Sequence, residues 1–346
     1  MATRKKINLA LQGGGAHGAF TWGVIDGLVE DGRVEFEGIS GTSAGAINAV
    51  LVADGLAAGS PQNACDRLAH FWKAVSVDGE LPSFQRAVID RLFSFLPIEG
   101  SPVQNWFDAL QRFWSPYDLN PLRLNPLKDI VDRFVDFDAV QKFPGPPLFV
   151  SATNVRTGRL AVFPREKITA DVVMASACLP LLFQAVEIEG VPYWDGGFLA
   201  NPAIFPFFRT TESEDVLLVQ LNPVERDMTP RTQSEILNRI NEVTFNSSLI
   251  AEFRAIEFVQ RLIEEGRLPH GLAPGEYRRV NVHRIALDSV FGKLTAASKL
   301  DSDYDFFQML RAGGRTAAHT FLEKHFDDIG VRSTVDLAAE SRAEMM

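Results

Sequence analysis

The first 60 residues combine two strand-like and two helix-like patterns of apolar residues. Residues 7–11 form a short apolar run that ends at glycines, as a buried parallel strand would. Residues 18–31 carry apolar side chains at helical spacing, and this pattern ends near Gly32. Alternation from residue 34 predicts a second strand, and the small residues 46–53 predict a second helix. This order predicts a parallel sheet that is covered by helices on both faces.

The remaining patterns predict further strands and a long C-terminal part that is mainly helical. Predicted strands cover residues 148–153, 160–163, 191–194, 215–221 and 277–287. Predicted helices cover residues 171–179, 232–265 and 303–325. Gly313 and Gly314 lie inside the last of these helices, where each glycine costs roughly 1 kcal/mol. The pair predicts either a break in the helix or a tight contact with another helix.

The segment from residue 61 to residue 143 is divided by prolines and rich in aromatic side chains. Helical spacing appears over residues 63–74, 104–114 and 128–135, and prolines between these stretches divide the segment into short pieces. One interpretation is a cap or lid at residues 81–126 that presents an apolar surface to an acyl chain or a bilayer. The alternative is that the rings fill space in the core, as large apolar side chains usually do.

Composition and charge narrow the class of protein. The chain is 46% hydrophobic and 23% charged, which is ordinary for a globular protein. Its length of 346 residues allows one large α/β domain or two smaller ones. A formal net charge of −10 argues against a general nucleic-acid binder and against strong attraction to anionic membranes. The first apolar run is too short for a signal peptide, and no run reaches the roughly 20 residues of a membrane span. We expect a cytoplasmic protein whose contact with membranes is at most peripheral.

The two cysteines, Cys65 and Cys178, do not indicate a disulfide framework or a metal site. Two are too few for the former, and their separation does not match the spacing of metal ligands. We expect both to be reduced and partly buried thiols.

The pentapeptide at residues 41–45, G-T-S-A-G, is the first sign of catalytic chemistry. It matches G-x-S-x-G, and it lies between a predicted strand and a predicted helix. In that setting Ser43 is expected at the apex of a sharp turn, where flanking glycines relieve steric crowding. The pentapeptide alone occurs by chance in roughly one chain in ten of this length, so its context carries the prediction.

The loop at residues 13–18, G-G-G-A-H-G, has two interpretations. It satisfies the dinucleotide fingerprint G-x-G-x-x-G after a strand and before a helix. That fingerprint also needs an acidic residue at the end of the next strand, and residues 39–43 contain none. Backbone N–H groups that converge at a helix N-terminus can equally stabilise an oxyanion. The nearby Ser43 favours an oxyanion hole over dinucleotide binding.

A serine nucleophile needs a base, and the sequence offers no obvious histidine for this role. In α/β-hydrolases the histidine follows the serine and the acid along the chain. None of the histidines after Ser43 lies in a clear loop that follows a strand, and His319 and His325 lie in helical patterns. Asp195 follows an apolar strand and precedes two glycines, which by itself is also common turn chemistry.

Taken together, three motifs in this order make the chain resemble the patatin-like phospholipases, most closely the bacterial members. The glycines in these motifs are Gly13, Gly14, Gly15, Gly18, Gly41, Gly45, Gly196 and Gly197. Residues 151–154 and 175–180 are also similar to that family, and the resemblance covers about residues 5–225. The tail, including residues 298–299 and 313–315, resembles a C-terminal extension of a bacterial subgroup.

The resemblance implies a fold, an activity and a set of site residues. The implied fold is a three-layer α/β/α sandwich with a mostly parallel sheet. It consists of a catalytic domain at residues 1–225 and a mainly helical C-terminal extension at residues 226–346. The implied activity is hydrolysis of lipid acyl esters by a Ser43–Asp195 dyad, with Gly13, Gly14 and Gly15 as the oxyanion hole and without a cofactor or metal. Because a free aspartate has a pKa of about 3.9, we expect burial to raise the pKa of Asp195.

Two departures from the family pattern and three alternative functions remain open. Gln12 stands where many members carry Asp, and His17 stands where many carry Arg, which puts preference for a phospholipid headgroup in question. The same dyad would also serve an acyltransferase or a polyester depolymerase. A lipid-binding module without catalytic activity is the alternative from a different class.

Overall fold

The computed structural model describes residues 4–76, 115–119, 125–180, 183–227, 229–271, 273, 277–291, 294 and 303–342. The predicted helix at 104–114 and most of the predicted lid at 81–126 lie outside these residues. Among the residues described, no helix is both long enough and apolar enough to cross a membrane.

Among the described residues, a mostly parallel sheet of eight strands forms the centre of the fold. The strands are β1 (Lys5–Leu11), β2 (Val34–Gly41), β3 (Leu148–Asn154), β4 (Arg159–Pro164), β5 (Val186–Ile188), β6 (Val191–Asp195), β7 (Asp215–Gln220) and β8 (Asn281–Ala286). Their order is β5-β6-β3-β2-β1-β7-β8, and β4 pairs with β3. The four pairs that join β3, β2, β1, β7 and β8 are parallel, and the pairs made by β4, β5 and β6 are antiparallel.

Helices cover both faces of this sheet. They are α1 (Gly18–Asp31), α2 (Ala44–Ala57), α3 (Pro61–Ala74), α4 (Pro116–Leu119), α5 (Pro126–Phe134), α6 (Phe137–Lys142), α7 (Ala170–Ser176), α8 (Phe207–Thr210), α9 (Gln233–Glu264), α10 (Asp288–Phe291), α11 (Tyr304–His325) and α12 (Leu337–Ser341). Helices α1, α2, α3 and α11 share one apolar cluster, and α8, α9 and α12 share the other. The predicted three-layer α/β/α architecture with C-terminal helices is therefore confirmed.

Burial on both faces explains why the central strands are continuously apolar in sequence. Leu9 and Leu11 of β1 belong to the cluster on one face, whereas Ala10 belongs to the cluster on the other. Leu217 and Leu218 of β7 divide between the two clusters in the same way. Side chains alternate across a strand, so a strand that is buried on both sides needs apolar residues at consecutive positions.

The glycine pair in α11 makes a tight helix contact, not a break. Helix α11 continues through Gly313 and Gly314, and Gly314 packs against α1. A methyl group at Gly314 would overlap the carbonyl oxygen of Phe20, and one at Gly23 of α1 would overlap the carbonyl oxygen of Arg311. Glycines on both helices therefore allow the two backbones to approach each other closely.

The part of the chain after residue 225 shares its core with the part before it. Strand β8 extends the sheet beyond β7 as a parallel neighbour, where the sequence predicted one late strand at residues 277–287. Helix α11 packs on α1, and α9 packs on the second apolar cluster. The division into domains at residue 225 stays a prediction.

Candidate active site

Ser43 lies at the turn between β2 and α2, where β2 ends at Gly41 and α2 begins at Ala44. Its φ of 56° and ψ of −124° are unusual for a residue with a side chain, which indicates stored backbone strain. A methyl group at Gly41 would overlap the carbonyl oxygen of Gly45, and one at Gly45 would overlap the carbonyl oxygen of Leu11. The turn therefore has the steric requirement for glycine that the pentapeptide predicts.

Hydrogen bonds from two other segments hold this turn. The N–H of Ser43 donates to Ser176 Oγ at 2.9 Å, and Ser176 is the last residue of α7. The hydroxyl of Thr42 donates to the carbonyl oxygen of Ala200 at 2.9 Å. The strained backbone around Ser43 is therefore fixed from both sides.

Asp195 ends β6, and its backbone is anchored to two neighbouring segments. Its N–H donates to the carbonyl oxygen of Cys178 at 2.8 Å, and its own carbonyl oxygen accepts the Thr153 hydroxyl at 2.8 Å. The side-chain Oδ1 accepts the N–H of Gly197 at 2.7 Å. None of these contacts uses the second carboxyl oxygen, Oδ2.

Burial gives Asp195 unusual acid–base properties. The side chain is completely buried, and loss of hydration raises its pKa to about 7, although the Gly197 N–H and the Ser43 hydroxyl oppose this shift. Within the described residues Asp195 Oδ2 has no hydrogen-bond partner. The Ser43 hydroxyl is near enough to lower the pKa of the carboxyl as a hydrogen-bond donor, although the described residues show no hydrogen bond of good geometry between the two. Such contacts often tighten only when substrate binds.

The glycine-rich loop lies directly against Ser43. A methyl group at Gly13 would come within 2.7 Å of Ser43 Cβ. The N–H of Gly13 donates to Asn201 Oδ1 at 2.7 Å. The N–H groups of Gly14 and Gly15 have no hydrogen-bond acceptor among the described residues. A short 3₁₀ turn at Gly15–His17 then leads into α1. The loop therefore brings two uncommitted N–H donors to the same edge of the sheet as the serine.

Gln12 fastens the start of this loop to the loop after β7. Its Oε1 accepts the N–H of Leu221 at 2.9 Å, the N–H of Asn222 at 2.9 Å and the Asn222 side-chain amide at 3.0 Å. Its Nε2 donates to Asn246 Oδ1 at 3.1 Å. An aspartate at this position could accept the first set of bonds but could not donate to Asn246. The amide therefore suits the network around it.

Four of the histidines that follow Ser43 pair with carboxylates elsewhere in the fold. His270 contacts Glu214 at 3.0 Å, and the fully buried His283 contacts Asp215 at 2.9 Å. His319 contacts Glu30, and His325 contacts Asp328. These contacts give each of the four an electrostatic partner away from Ser43.

Asn201 is a site residue that sequence reasoning missed. It is completely buried, and its Oδ1 binds the N–H of Gly13, 188 positions earlier in the chain. The dipeptide Asn201–Pro202 is a recognisable turn signal six residues after Asp195. Nothing in the local pattern says that its side chain reaches the glycine loop.

Comparison with known families identifies the chain. A family model described as patatin-like phospholipase matches residues 9–208. The chain belongs to the patatin-like phospholipase family. Within the matched segment lie Ser43, Asp195 and the glycine loop.

Two solved structures are similar to this chain at low sequence identity. VipD from Legionella pneumophila is 17% identical with a TM-score of 0.38, and the match covers 89% of this chain and 66% of VipD. A chain of the ExoU–SpcU complex from the type III secretion system of Pseudomonas aeruginosa is 18% identical with a TM-score of 0.31. This match covers 94% of the present chain and 61% of the chain in that complex. The chain thus spans somewhat less than two thirds of both. A comparison with curated protein sequences finds no match.

Proposed function

We propose that the protein is a serine hydrolase of lipid acyl esters, with activity of the phospholipase A or lysophospholipase type. Membership of the patatin-like phospholipase family supports this class of substrate. The observation that carries the mechanism is the fully buried Asp195, whose pKa is raised to about 7 beside the hydroxyl of Ser43. A carboxyl with a pKa near neutrality can act as a general base at neutral pH.

In the proposed reaction the Asp195 carboxylate removes the proton from Ser43 Oγ as this oxygen attacks the ester carbonyl carbon. The tetrahedral intermediate then collapses, its C–O bond to the leaving alcohol breaks, and the proton on Asp195 passes to that alcohol. Water attacks the resulting acyl-serine with Asp195 again as base, which releases the fatty acid and restores the Ser43 hydroxyl. The cycle needs no histidine, cofactor or metal.

The oxyanion hole in this proposal is the loop of Gly13, Gly14 and Gly15. The N–H groups of Gly14 and Gly15 have no acceptor among the described residues, so we assign to them the direct contact with the oxyanion. The Gly13 N–H is held by Asn201 at 2.7 Å, which orients the loop in the state described. We also propose that the protein is cytoplasmic, and a lipid substrate implies that it makes transient, peripheral contact with a membrane or micelle surface.

Two substitutions test the proposal directly. Ser43→Ala removes the nucleophile and Asp195→Asn removes the base, so each should abolish ester hydrolysis while the protein stays folded. Ser247→Ala, at an exposed position on α9, is the matched control and should keep full activity. Hydrolysis that persists in either site variant would reject the dyad.

Two further readouts separate hydrolysis from two of the three alternative functions, the lipid-binding module and the acyltransferase. Labelling of Ser43 by a fluorophosphonate probe is expected, and absence of labelling would favour a lipid-binding module without catalytic activity. Product analysis with an added alcohol should yield free fatty acid. Acyl transfer to the alcohol as the main product would instead identify an acyltransferase.

A further inference from the structure

Helix α9 lies after the family-matched segment, yet it contacts the loops that form the site. The match ends at residue 208, and α9 covers Gln233–Glu264. The ring of Phe245 packs edge-on against the ring of Phe198, with centroids 5.6 Å apart, next to Gly197. The inward side of α9 therefore reaches the turn that directly follows Asp195.

Glu252 on α9 holds the far end of the loop that begins at Asp195. Its Oε2 accepts the N–H of Ile204 at 2.9 Å, and Ile204 is completely buried. Loss of hydration also raises the pKa of Glu252 to about 8, which favours the neutral carboxyl at pH 7. A carboxyl that loses hydration is costly compared with an apolar residue of similar size, and the bond to Ile204 is the contact that an apolar residue could not supply.

The loop between these two anchored ends carries the contacts to the other parts of the site. The carbonyl oxygen of Ala200 accepts the Thr42 hydroxyl, and Asn201 Oδ1 accepts the Gly13 N–H. One end is fixed by the bonds of the Asp195 backbone to Cys178 and Thr153, and the other is fixed by Glu252. A shift at Ile204 would therefore move Ala200 and Asn201. Through them it would reach Thr42, which precedes Ser43, and Gly13 of the glycine loop.

Asn246 on the same helix fixes the glycine loop from its other side. Its Oδ1 accepts the Gln12 side-chain amide at 3.1 Å, and Gln12 directly precedes Gly13. Its own amide donates to the carbonyl oxygens of Asn222 at 3.3 Å and Pro223 at 3.0 Å. Asn246 is buried, so these bonds are not exchanged readily with water.

We infer that Glu252 and Asn246 are positioning residues, through which α9 sets the glycine loop against Ser43. Glu252 acts through the loop that carries Asn201, and Asn246 acts through Gln12. The catalytic consequence rests on the proposed function, whereas the positioning itself does not. A displacement of about 1 Å in a reacting group can cost roughly 100-fold in rate, so small movements of this loop matter.

The first test measures hydrogen–deuterium exchange at the Ile204 and Gly13 amides in folded protein. Glu252→Leu removes the acceptor and should accelerate exchange at both amides at least about 10-fold. Glu252→Gln keeps a neutral acceptor and should restore exchange to within about twofold of wild type. Glu264→Leu, at an exposed position on the same helix, is the matched control. Faster exchange at Ile204 with unchanged exchange at Gly13 would overturn the inference, because Glu252 would then anchor only its own contact.

The second test separates positioning from general stability. Glu252→Leu should lower kcat for ester hydrolysis about 100-fold with KM within about twofold of wild type, and Glu252→Gln should recover kcat. Unchanged kcat in Glu252→Leu would overturn the inference.

A second variant keeps the inference testable if Glu252→Leu does not fold. Asn246→Ser shortens the acceptor for Gln12 and should also accelerate exchange at Gly13, and exchange equal to wild type would count against the inference. If wild type shows no Ser43-dependent hydrolysis, the proposed function fails, and the exchange measurements still decide the positioning.

Discussion

The raised pKa of Asp195, the proposed base, predicts that this residue destabilises the folded protein at neutral and alkaline pH. Its folded pKa of about 7 lies above its ordinary value of 3.8, because burial disfavours the charged form. Between these two values the folded protein binds one proton more than the unfolded chain. The stabilising contribution of that proton is complete below about pH 3.8 and is lost as the pH rises through 7.

The size of this effect follows from the two pKa values. Each pKa unit corresponds to about 1.4 kcal/mol, so the full contribution is about 4 kcal/mol, of which about 2.5 kcal/mol is lost between pH 5 and pH 8. The side chain is completely buried, so solvent does not screen this amount as it would at the surface. Asp195→Asn keeps an acceptor for the Gly197 N–H but cannot ionise, so the variant lacks this pH dependence.

Urea unfolding of wild type and Asp195→Asn at pH 5 and pH 8 measures the effect. The difference in unfolding free energy, variant minus wild type, should increase by about 2.5 kcal/mol between the two pH values. All other titrating groups are common to both proteins and cancel. Ser247→Ala, which removes no titrating group at an exposed position, is the control and should show a difference that does not depend on pH. A change below about 1 kcal/mol in Asp195→Asn would refute the claim that this carboxyl is neutral in the folded protein.

Three further predictions follow from the same structure. The value of kcat/KM should rise with pH and level off above about 7, because the base must be ionised; a profile that already levels off near pH 4 would show an ordinary aspartate. Gly314→Ala should lower the unfolding free energy by about 1–3 kcal/mol, because the new methyl group overlaps the carbonyl oxygen of Phe20. The control Ala312→Ser, at an exposed position on the same helix, should change the unfolding free energy by less than about 0.5 kcal/mol. Equal effects of the two substitutions in thermal unfolding would contradict this prediction. Gln12→Leu should cost about 2–5 kcal/mol in urea unfolding, because it leaves buried donors of Asn222 without their acceptor, and a loss below about 1 kcal/mol would disprove the role of this network.

The sheet and the serine turn could be predicted because their causes are local. A strand that is buried on both faces must be apolar at consecutive positions, and β1 and β7 show this in sequence. The turn at Ser43 needs glycines at fixed offsets because its backbone passes close to neighbouring segments, so it leaves a short motif. The glycine pair in α11 was visible too, but only the structure shows that it serves a helix contact.

The contacts that hold the site could not be predicted, because they join segments that are distant in sequence. Asn201 reaches Gly13 across 188 positions, and Gln12 reaches Asn246 across 234 positions. A glutamate with a structural contact, such as Glu252, looks like any other helical glutamate in the sequence. The predicted helix at 104–114 and most of the predicted lid at 81–126 lie outside the described residues and stay predictions.

The proposed dyad contains no histidine, and this would place a particular demand on the rest of the fold. A histidine has a pKa near neutrality in water, whereas an aspartate reaches it only when water is excluded from the carboxyl. Exclusion of water costs stability, so the fold must hold a strained serine, a buried acid and a glycine loop together without help from solvent. In this chain the contacts that do so come partly from α9, beyond the segment that defines the family. For that reason we expect substitutions on α9 to alter the geometry of the site, although α9 lies outside the family-matched residues.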